Sequence, residues 1–397
     1  MAKVKPIFFR APVLGPLGSR GSGGRKLAVL HGVLRRYFPD VARVAVALYD
    51  PRTGMARTFL SHGDRPTPLA GYEASVAEAS SLRRVFRGRR IRVVNDMDIF
   101  AKGRHLHTRA LRDGGFKSGV AFPMIAGNRA TGFVFFNARR KDAFASADLT
   151  LLEVFARLAA DTATAGVRSA SLLLAALKTA EGLVHVRDRE TGEHLERMAR
   201  YSRLIARELA RSGRRGLDDE RIEYLADFAP LHDVGKIGIP DRVLLKPGPL
   251  TASERRVMRT HTTKGRRIVD AILRRFGSVS PAQASALRQI AERHHEVLDG
   301  SGYPGGIRGR RIGLEARIAA VADIFDALTS ARPYKDAWTL DQAFAALEKL
   351  GRTRLDRDCV KALIRNRRAV ERIRRRFRDA GRLPLRARDL TRRRSAP

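Results

Sequence analysis

Between Glu190 and Asp323 the chain scatters imidazoles and carboxylates that can act together only if the fold gathers them. His232 and Asp233 are adjacent in HDVGK, His261 stands alone, and His294 and His295 are adjacent in HHEVLDGSGYPGG. Asp323 lies in the run RIAAVADIFDAL. Upstream, Glu190 and His194 stand at the spacing that shares one helical face, although Gly192 between them disfavours a helix. Such nitrogen and oxygen donors suit Mn, Fe or Zn, and two adjacent pairs supply more ligands than one ion needs. A site of two or three metals is the economical reading, and such sites hydrolyse phosphate esters.

Each member alone is weak evidence, because a single helical histidine or aspartate is more often structural or exposed. Asp323 is more telling. In its run Ile318, Val321, Phe325 and Leu328 form an apolar face, where a carboxylate is costly unless something pairs with it or coordinates it. Asp326, three residues on, can accept the second N–H of a ligating imidazole and so orient it. The pair His232–Asp233, on a helix, points its two ligands about 100° apart. The two can therefore serve different ions, or the carboxylate can bridge them. Gly235 and Pro240 then end the helix and leave Lys236 beside the metals.

The rest of the chain bounds the setting. Its 397 residues predict two or three domains, and its 44% apolar content allows real cores. No run approaches the length of a membrane-spanning helix, so none is expected. The single cysteine, Cys359, cannot form an intramolecular disulfide and suggests a reducing compartment, with the cytoplasm as the default. The net charge of +37 is extreme. It reads either as nucleic-acid or anionic-membrane binding or as an arginine bias spread over solvated faces. The excess concentrates from Lys361 onward, where 15 Lys and Arg face 3 Asp and Glu. A basic tail over 366–397 could take an anionic partner or stay solvated.

Residues 1–25, rich in Gly, Pro and Arg, read as a flexible leader. An amphipathic helix is predicted from Arg25 to Phe38. VARVAVALY at 41–49, the turn Asp50-Pro51-Arg52-Thr53-Gly54 and a run ending at Leu60 predict a hairpin. IRVVND at 91–96 reads as a strand. SGVAFPMI and GFVFFN, around the turn Ala126-Gly127-Asn128-Arg129, predict a second hairpin. The order resembles a GAF domain over 26–165, which implies an antiparallel sheet with helices and a sensory role. Its ligand is unknown: no cysteine is present for a covalent chromophore, and His105 and His107 are as plausibly surface residues as haem ligands. A helical stretch over 146–187 reads as the connection to the second half. Leu151, Leu158, Ala165 and Leu172 repeat every seven residues, with Phe155, Thr162, Ser169 and Ala176 in the second seam. This is a weak coiled-coil pattern, consistent with a homodimer or with one long helix packed on its own domains. The remainder, 175–365, is strongly helical. The fold class is therefore multidomain: an α+β domain joined by a long helix to an all-α domain.

Residues 180–345 resemble an HD-GYP domain, a branch of the HD phosphohydrolase superfamily. The resemblance is carried by RDRETGEHLERM at 187–198, LHDVGKIGIPDRVLLKPGPLT at 231–251, HTTKG at 261–265, HHEVLDGSGYPGG at 294–306 and ARIAAVADIFDALTSARPYK at 316–335. It implies an all-helical domain that cleaves cyclic di-GMP to pGpG, with a second cut to GMP left open, at a centre of two or three iron or manganese ions. It places His194, His232, Asp233, His261, His294, His295 and Asp323 as metal ligands, with Asp233 bridging. Glu190 is the ligand of a third ion. It gives Lys236, Arg332 and Lys335 to the substrate's phosphates and bases, Tyr303 and Pro304 to a loop shaping the site, and Asp188 a supporting place. Leu298 departs from the aromatic residue frequent before the DG of this loop, which changes pocket shape and removes no ligand.

The chemistry agrees with that resemblance. A phosphodiester is anionic, so hydroxide attack needs charge neutralisation, and two metals about 3.5–4 Å apart lower the pKa of a bridging water from about 15.7 towards about 7. Asp233 and Lys236 are then the catalytic pair, with Lys236 and Arg332 stabilising charge on the phosphoryl oxygens. The alternatives are hydrolysis of another cyclic dinucleotide, nucleic-acid binding or scaffolding through the basic surface, and protein–protein signalling through the GYP loop.

Overall fold

The computed structural model describes residues 22–51, 53–65, 72–100, 111–127, 129–165, 192–214, 216–276, 280–330 and 336–378. Outside these lie most of the expected leader, His105 and His107, the connecting segment 166–187, Asp188, Glu190, Arg332, Lys335 and residues 379–397.

The first half is a six-stranded antiparallel sheet in the order β3-β2-β1-β6-β5-β4. Its strands are β1 (Val41–Asp50), β2 (Met55–Gly63), β3 (Glu73–Ser75), β4 (Arg92–Val94), β5 (Ser118–Ala126) and β6 (Arg129–Ala138). Both predicted hairpins form. The first turns through Gly54 at φ 71°, whose N–H donates to Asp50 O at 2.8 Å, and the second through Gly127 at φ 58°. Only glycine takes such angles without strain. Helix α1 (Gly23–Tyr37) starts at the Ser22 cap, two residues earlier than its sequence pattern suggests. It buries Leu27, Leu30, His31 and Leu34 against the sheet, the spacing of one helical face. Helix α2 spans Ser80–Gly88.

A helix over 149–165, α3, closes this half. Its core face is Leu152, Phe155, Ala156, Ala159 and Ala163, packed into the same cluster as α1 and the sheet. Leu151 and Leu158, expected on a coiled-coil seam, are half-buried at its edge, and Ala165 is exposed. Phe155 of the second seam lies in the core and Thr162 is half-buried, so over the described residues this helix packs on its own domain. Ser169, Leu172 and Ala176 lie outside them.

The second half is helical: α4 (Gly192–Arg211), α5 (Asp219–Phe228), α6 (Ala252–Arg259), α7 (His261–Phe276), α8 (Pro281–Arg293), α9 (Leu314–Thr329), α10 (Leu340–Leu350), α11 (Arg357–Arg365) and α12 (Arg367–Arg376). Its core gathers Tyr201, Ile205, Leu225, Ile318, Val321, Phe325, Leu347 and Leu363. Helix α12 occupies the start of the expected basic tail and buries Val370 completely in that core. The arginines made this segment look solvated, yet its one apolar edge is enough to dock it. Among the described residues no helix is long and apolar enough to cross a membrane.

The halves touch directly. Phe59 of β2 meets Tyr224 of α5 edge to face, with ring centroids 5.8 Å apart. The Glu220 carboxylate accepts from Gly23 N at 3.2 Å, Gly24 N at 3.1 Å and Tyr224 Oη at 2.9 Å. A carboxylate of α5 therefore caps the positive end of α1.

Candidate metal centre

Helix α5 runs straight into a 3₁₀ segment, Ala229–Gly238, that carries HDVGK. The sequence predicts a helix here, and the tighter winding is the difference. Gly235 explains how close this segment comes to α7: a Cβ there would lie 1.9 Å from His261 O and 2.4 Å from Gly265 N. Any side chain at 235 would push the segment off the helix that begins with His261.

The structure brings seven of the sequence-predicted residues into two groups. Asp233, His261, His294 and His295 place one donor atom each within 4.8 Å of one another, and so do His194, His232 and Asp323. Asp233 lies between them. Its Oδ1 is 3.1 Å from His261 Nε2 and 3.6 Å from His294 Nε2, while its Oδ2 is 3.2 Å from His232 Nε2 and 2.9 Å from Lys236 Nζ.

The protons of these rings are fixed from behind. His232 Nδ1 faces Ala229 O at 3.0 Å, His261 Nδ1 faces Met258 O at 2.8 Å, and His294 Nδ1 faces Ile290 O at 2.8 Å. His194 Nδ1 faces Asp326 Oδ2 at 2.8 Å. A carbonyl or carboxylate can only accept, so each Nδ1 carries the hydrogen and each Nε2 presents a lone pair inward. His261 Nε2 and His294 Nε2 are then two acceptors 3.4 Å apart. Asp233 Oδ1 is buried and accepts no hydrogen bond among the described residues. Converging acceptors without a proton between them repel unless a cation sits among them, so the donor set fits divalent metal.

The electrostatics point the same way. Burial alone would raise the Asp233 carboxyl, but the Lys236 ammonium holds it well below the ordinary carboxylate range. Burial pushes His294 and His295 down, which keeps both rings neutral and ready to coordinate.

The carboxylates of α9 differ from expectation. Asp326 is the deeply buried one, at 1% exposure, whereas the Asp323 side chain is 20% exposed and lines the site. Asp326 accepts from His194 and from both Arg197 Nε at 2.6 Å and Arg197 Nη2 at 2.9 Å. Arg197 was not legible in the sequence, because an arginine in a helix this basic gives no signal. Glu296 is a second such residue. Its carboxylate accepts from Gly305 N at 2.6 Å and Ile307 N at 3.1 Å, pinning the GYP loop. That loop sets the Tyr303 ring 4.6 Å from His295, under the Arg259 guanidinium at 5.0 Å. Gly302 permits the approach, since a Cβ there would lie 2.5 Å from His295 O. Pro304 follows in the same loop.

The HD domain family profile matches residues 154–359, more than half of the 397-residue chain. The chain belongs to the HD domain family. The GAF domain profile matches residues 27–162, the antiparallel half of the molecule. A cyclic di-GMP phosphodiesterase response regulator of Xanthomonas campestris pv. campestris is 48% identical over 190 residues, 48% of this chain and 47% of its own length. A cyclic di-GMP phosphodiesterase of Thermotoga maritima is 42% identical over 198 residues, half of each chain. A 3'3'-cGAMP-specific phosphodiesterase of Vibrio cholerae is 42% identical over 159 residues, 40% of this chain and 28% of its own. This HD domain protein thus spans about half or less of the length of these curated relatives.

Proposed function

We propose that the chain is a metal-dependent phosphodiesterase that opens cyclic di-GMP to pGpG, with the GAF half as its regulatory domain. One observation carries this reading: the inward Nε2 lone pairs of His194, His232, His261 and His294 converge in two adjacent donor groups, and Asp233 of the first lies 3.2 Å from His232 of the second. Asp233, His261, His294 and His295 would hold one ion, and His194, His232 and Asp323 a second, with Asp233 bridging. Donors of imidazole and carboxylate without thiolate suit manganese, iron or zinc, and the choice of manganese or iron rests on the sequence resemblance. When bound, such ions supply Lewis acidity at the phosphoryl oxygens and a nucleophile at neutral pH. Lys236, 2.9 Å from Asp233 Oδ2, sets a point charge where negative charge develops on the phosphoryl group. Tyr303, with its hydroxyl pushed up by burial, stays protonated and walls the site against the substrate. Glu190 as a third-metal ligand, Arg332 and Lys335 as substrate contacts, and Asp188 in support rest on the sequence resemblance.

The names of the relatives support the substrate class and leave a second reading, since some are specific for 3'3'-cGAMP. Mn(II)- or Fe(II)-loaded full-length protein should consume cyclic di-GMP and stop when chelated, followed by chromatography of the product. Faster turnover of 3'3'-cGAMP in a competition assay would move the substrate assignment, and hydrolysis of neither by metal-loaded protein would sink it. Lys236→Ala should lower kcat by about 10²-fold while the metal content measured by elemental analysis stays unchanged.

A further inference from the structure

Away from the metal groups, β2 and β3 of the GAF half, α4 and α12 enclose a cleft of about 450 Å³, within the usual size of small-ligand sites. Its walls are crowded with guanidinium groups. Arg57 enters from the sheet, Arg200, Arg203 and Arg207 from α4, and Arg372 and Arg375 from α12. Glu73, the one carboxylate in the lining, is already held by Arg57 at 3.1 Å and Arg207 at 2.9 Å. Arg203 is engaged by Glu223 at 2.8 Å and Arg200 by Glu196 at 3.1 Å. Arg372 and Arg375 are exposed and, among the described residues, belong to no ion pair. Burial lowers the Arg200 guanidinium from its ordinary value, Glu196 opposes this, and the nearby Arg203 and Arg57 charges add to the lowering.

Arg57 is paired with Asp50 as well, at 3.1 Å, so the positive charge left unmatched is that of Arg372 and Arg375, and an anion would match it. Guanidinium forks match the paired oxygens of phosphate. Besides Thr53 and Arg376, the remaining lining is apolar: Met55, Leu204, Ala369 and Ile373, with the Phe377 ring 4.2 Å below the Arg200 guanidinium. We propose that this interdomain cleft binds a small phosphorylated nucleotide, its phosphates on the arginines of α4 and α12 and its base against Phe377 and the apolar floor. Such a ligand would bridge the two domains. It would also adjoin the metal centre's support, because Arg197, which clamps Asp326, donates to Phe377 O at 2.8 Å.

GTP is the probe, titrated calorimetrically into the full-length protein at physiological salt, with chelator present to keep phosphate off the metal centre. Arg372→Ala/Arg375→Ala should weaken GTP binding by at least about tenfold. Arg274→Ala/Arg275→Ala removes the same charge from the exposed end of α7, and should weaken binding by less than about twofold. Both pairs lie on the surface, so folding is preserved and can be verified by unchanged thermal unfolding. Equal weakening by the two pairs, or no GTP binding at all, overturns the proposal, because general charge attraction then explains everything. Pyrophosphate binding as tightly as GTP removes the base from the site. A short single-stranded RNA that binds through Arg372 and Arg375 more tightly than GTP, with a steep salt dependence, makes the cleft a nucleic-acid groove instead.

Discussion

Two histidine clusters in this protein behave oppositely in the structure. In the GAF half, His31 Nε2 faces Val41 O at 2.9 Å and its Nδ1 faces His62 Nδ1 at 2.9 Å. The carbonyl fixes the hydrogen on His31 Nε2, so His62 donates to His31 and every proton has a place. In the HD half the carbonyls and Asp326 hold the protons on the outer nitrogens, and the inner ones point at each other. The first pair is complete without a ligand. The second arrangement leaves acceptors facing one another, which a cation would satisfy. Both clusters have a backbone carbonyl behind a ring, so what separates them is whether the other nitrogen meets a donor, as His31 does in His62, or another acceptor, as His261 does in His294.

The comparison can be broken at several points. Asp233→Asn should have the largest effect, because it removes the negative charge shared by both donor groups. Bound Mn(II) should be lost and turnover should fall below detection, while retention of full metal content would overturn the shared-carboxylate reading. Asp326→Asn should come next, with metal affinity or activity reduced by about 10–100-fold. An amide there can present N–H to His194 Nδ1–H and release the ring's orientation. Asp326→Glu should recover part of the loss, and an unchanged metal titration in the Asn variant would remove Asp326 from the support of the site.

The GAF pair should show the smallest effect and a different signature. His62→Ala leaves the buried His31 Nδ1 without its donor and should cost about 1–3 kcal/mol, read from thermal unfolding without change in metal content. Burial lowers both His31 and His62 from their ordinary value. The folded state thus binds fewer protons than the unfolded chain, whose histidines titrate near about 6.5. The stabilisation is present above that pH and is lost as pH falls below it. Loss of this pH dependence in His62→Ala is the expected result. An identical profile in the variant would show that the pair is not its source.

Much of the centre was legible because metal ligands are rare residue types in a conspicuous order. Its support was not. Arg197 is one of 78 Lys and Arg residues, and nothing local marks it as the partner of Asp326. That Asp326 is buried more deeply than Asp323 could not be read in advance, because α9 is apolar or alanine on nearly every side. The pattern of such a helix cannot say which face meets the core and which meets the site. Glu296 and Gly302 sit inside a motif whose purpose is loop shape, and shape is visible only once the loop is folded against His295.

By itself the sequence determined the two-domain plan, both hairpins of the sheet and the residue types that gather at the centre. These follow from alternation, turn chemistry and donor identity, all of which are local. The tertiary structure decided which nitrogen of each ring faces inward, since that depends on carbonyls brought up by other turns of the chain. It also decided that α3 packs in its own domain, that α12 joins the helical core, and that the GAF half leans on α5 immediately before HDVGK. Those contacts join residues far apart in the chain, through apolar edges and caps too short to leave a periodic trace.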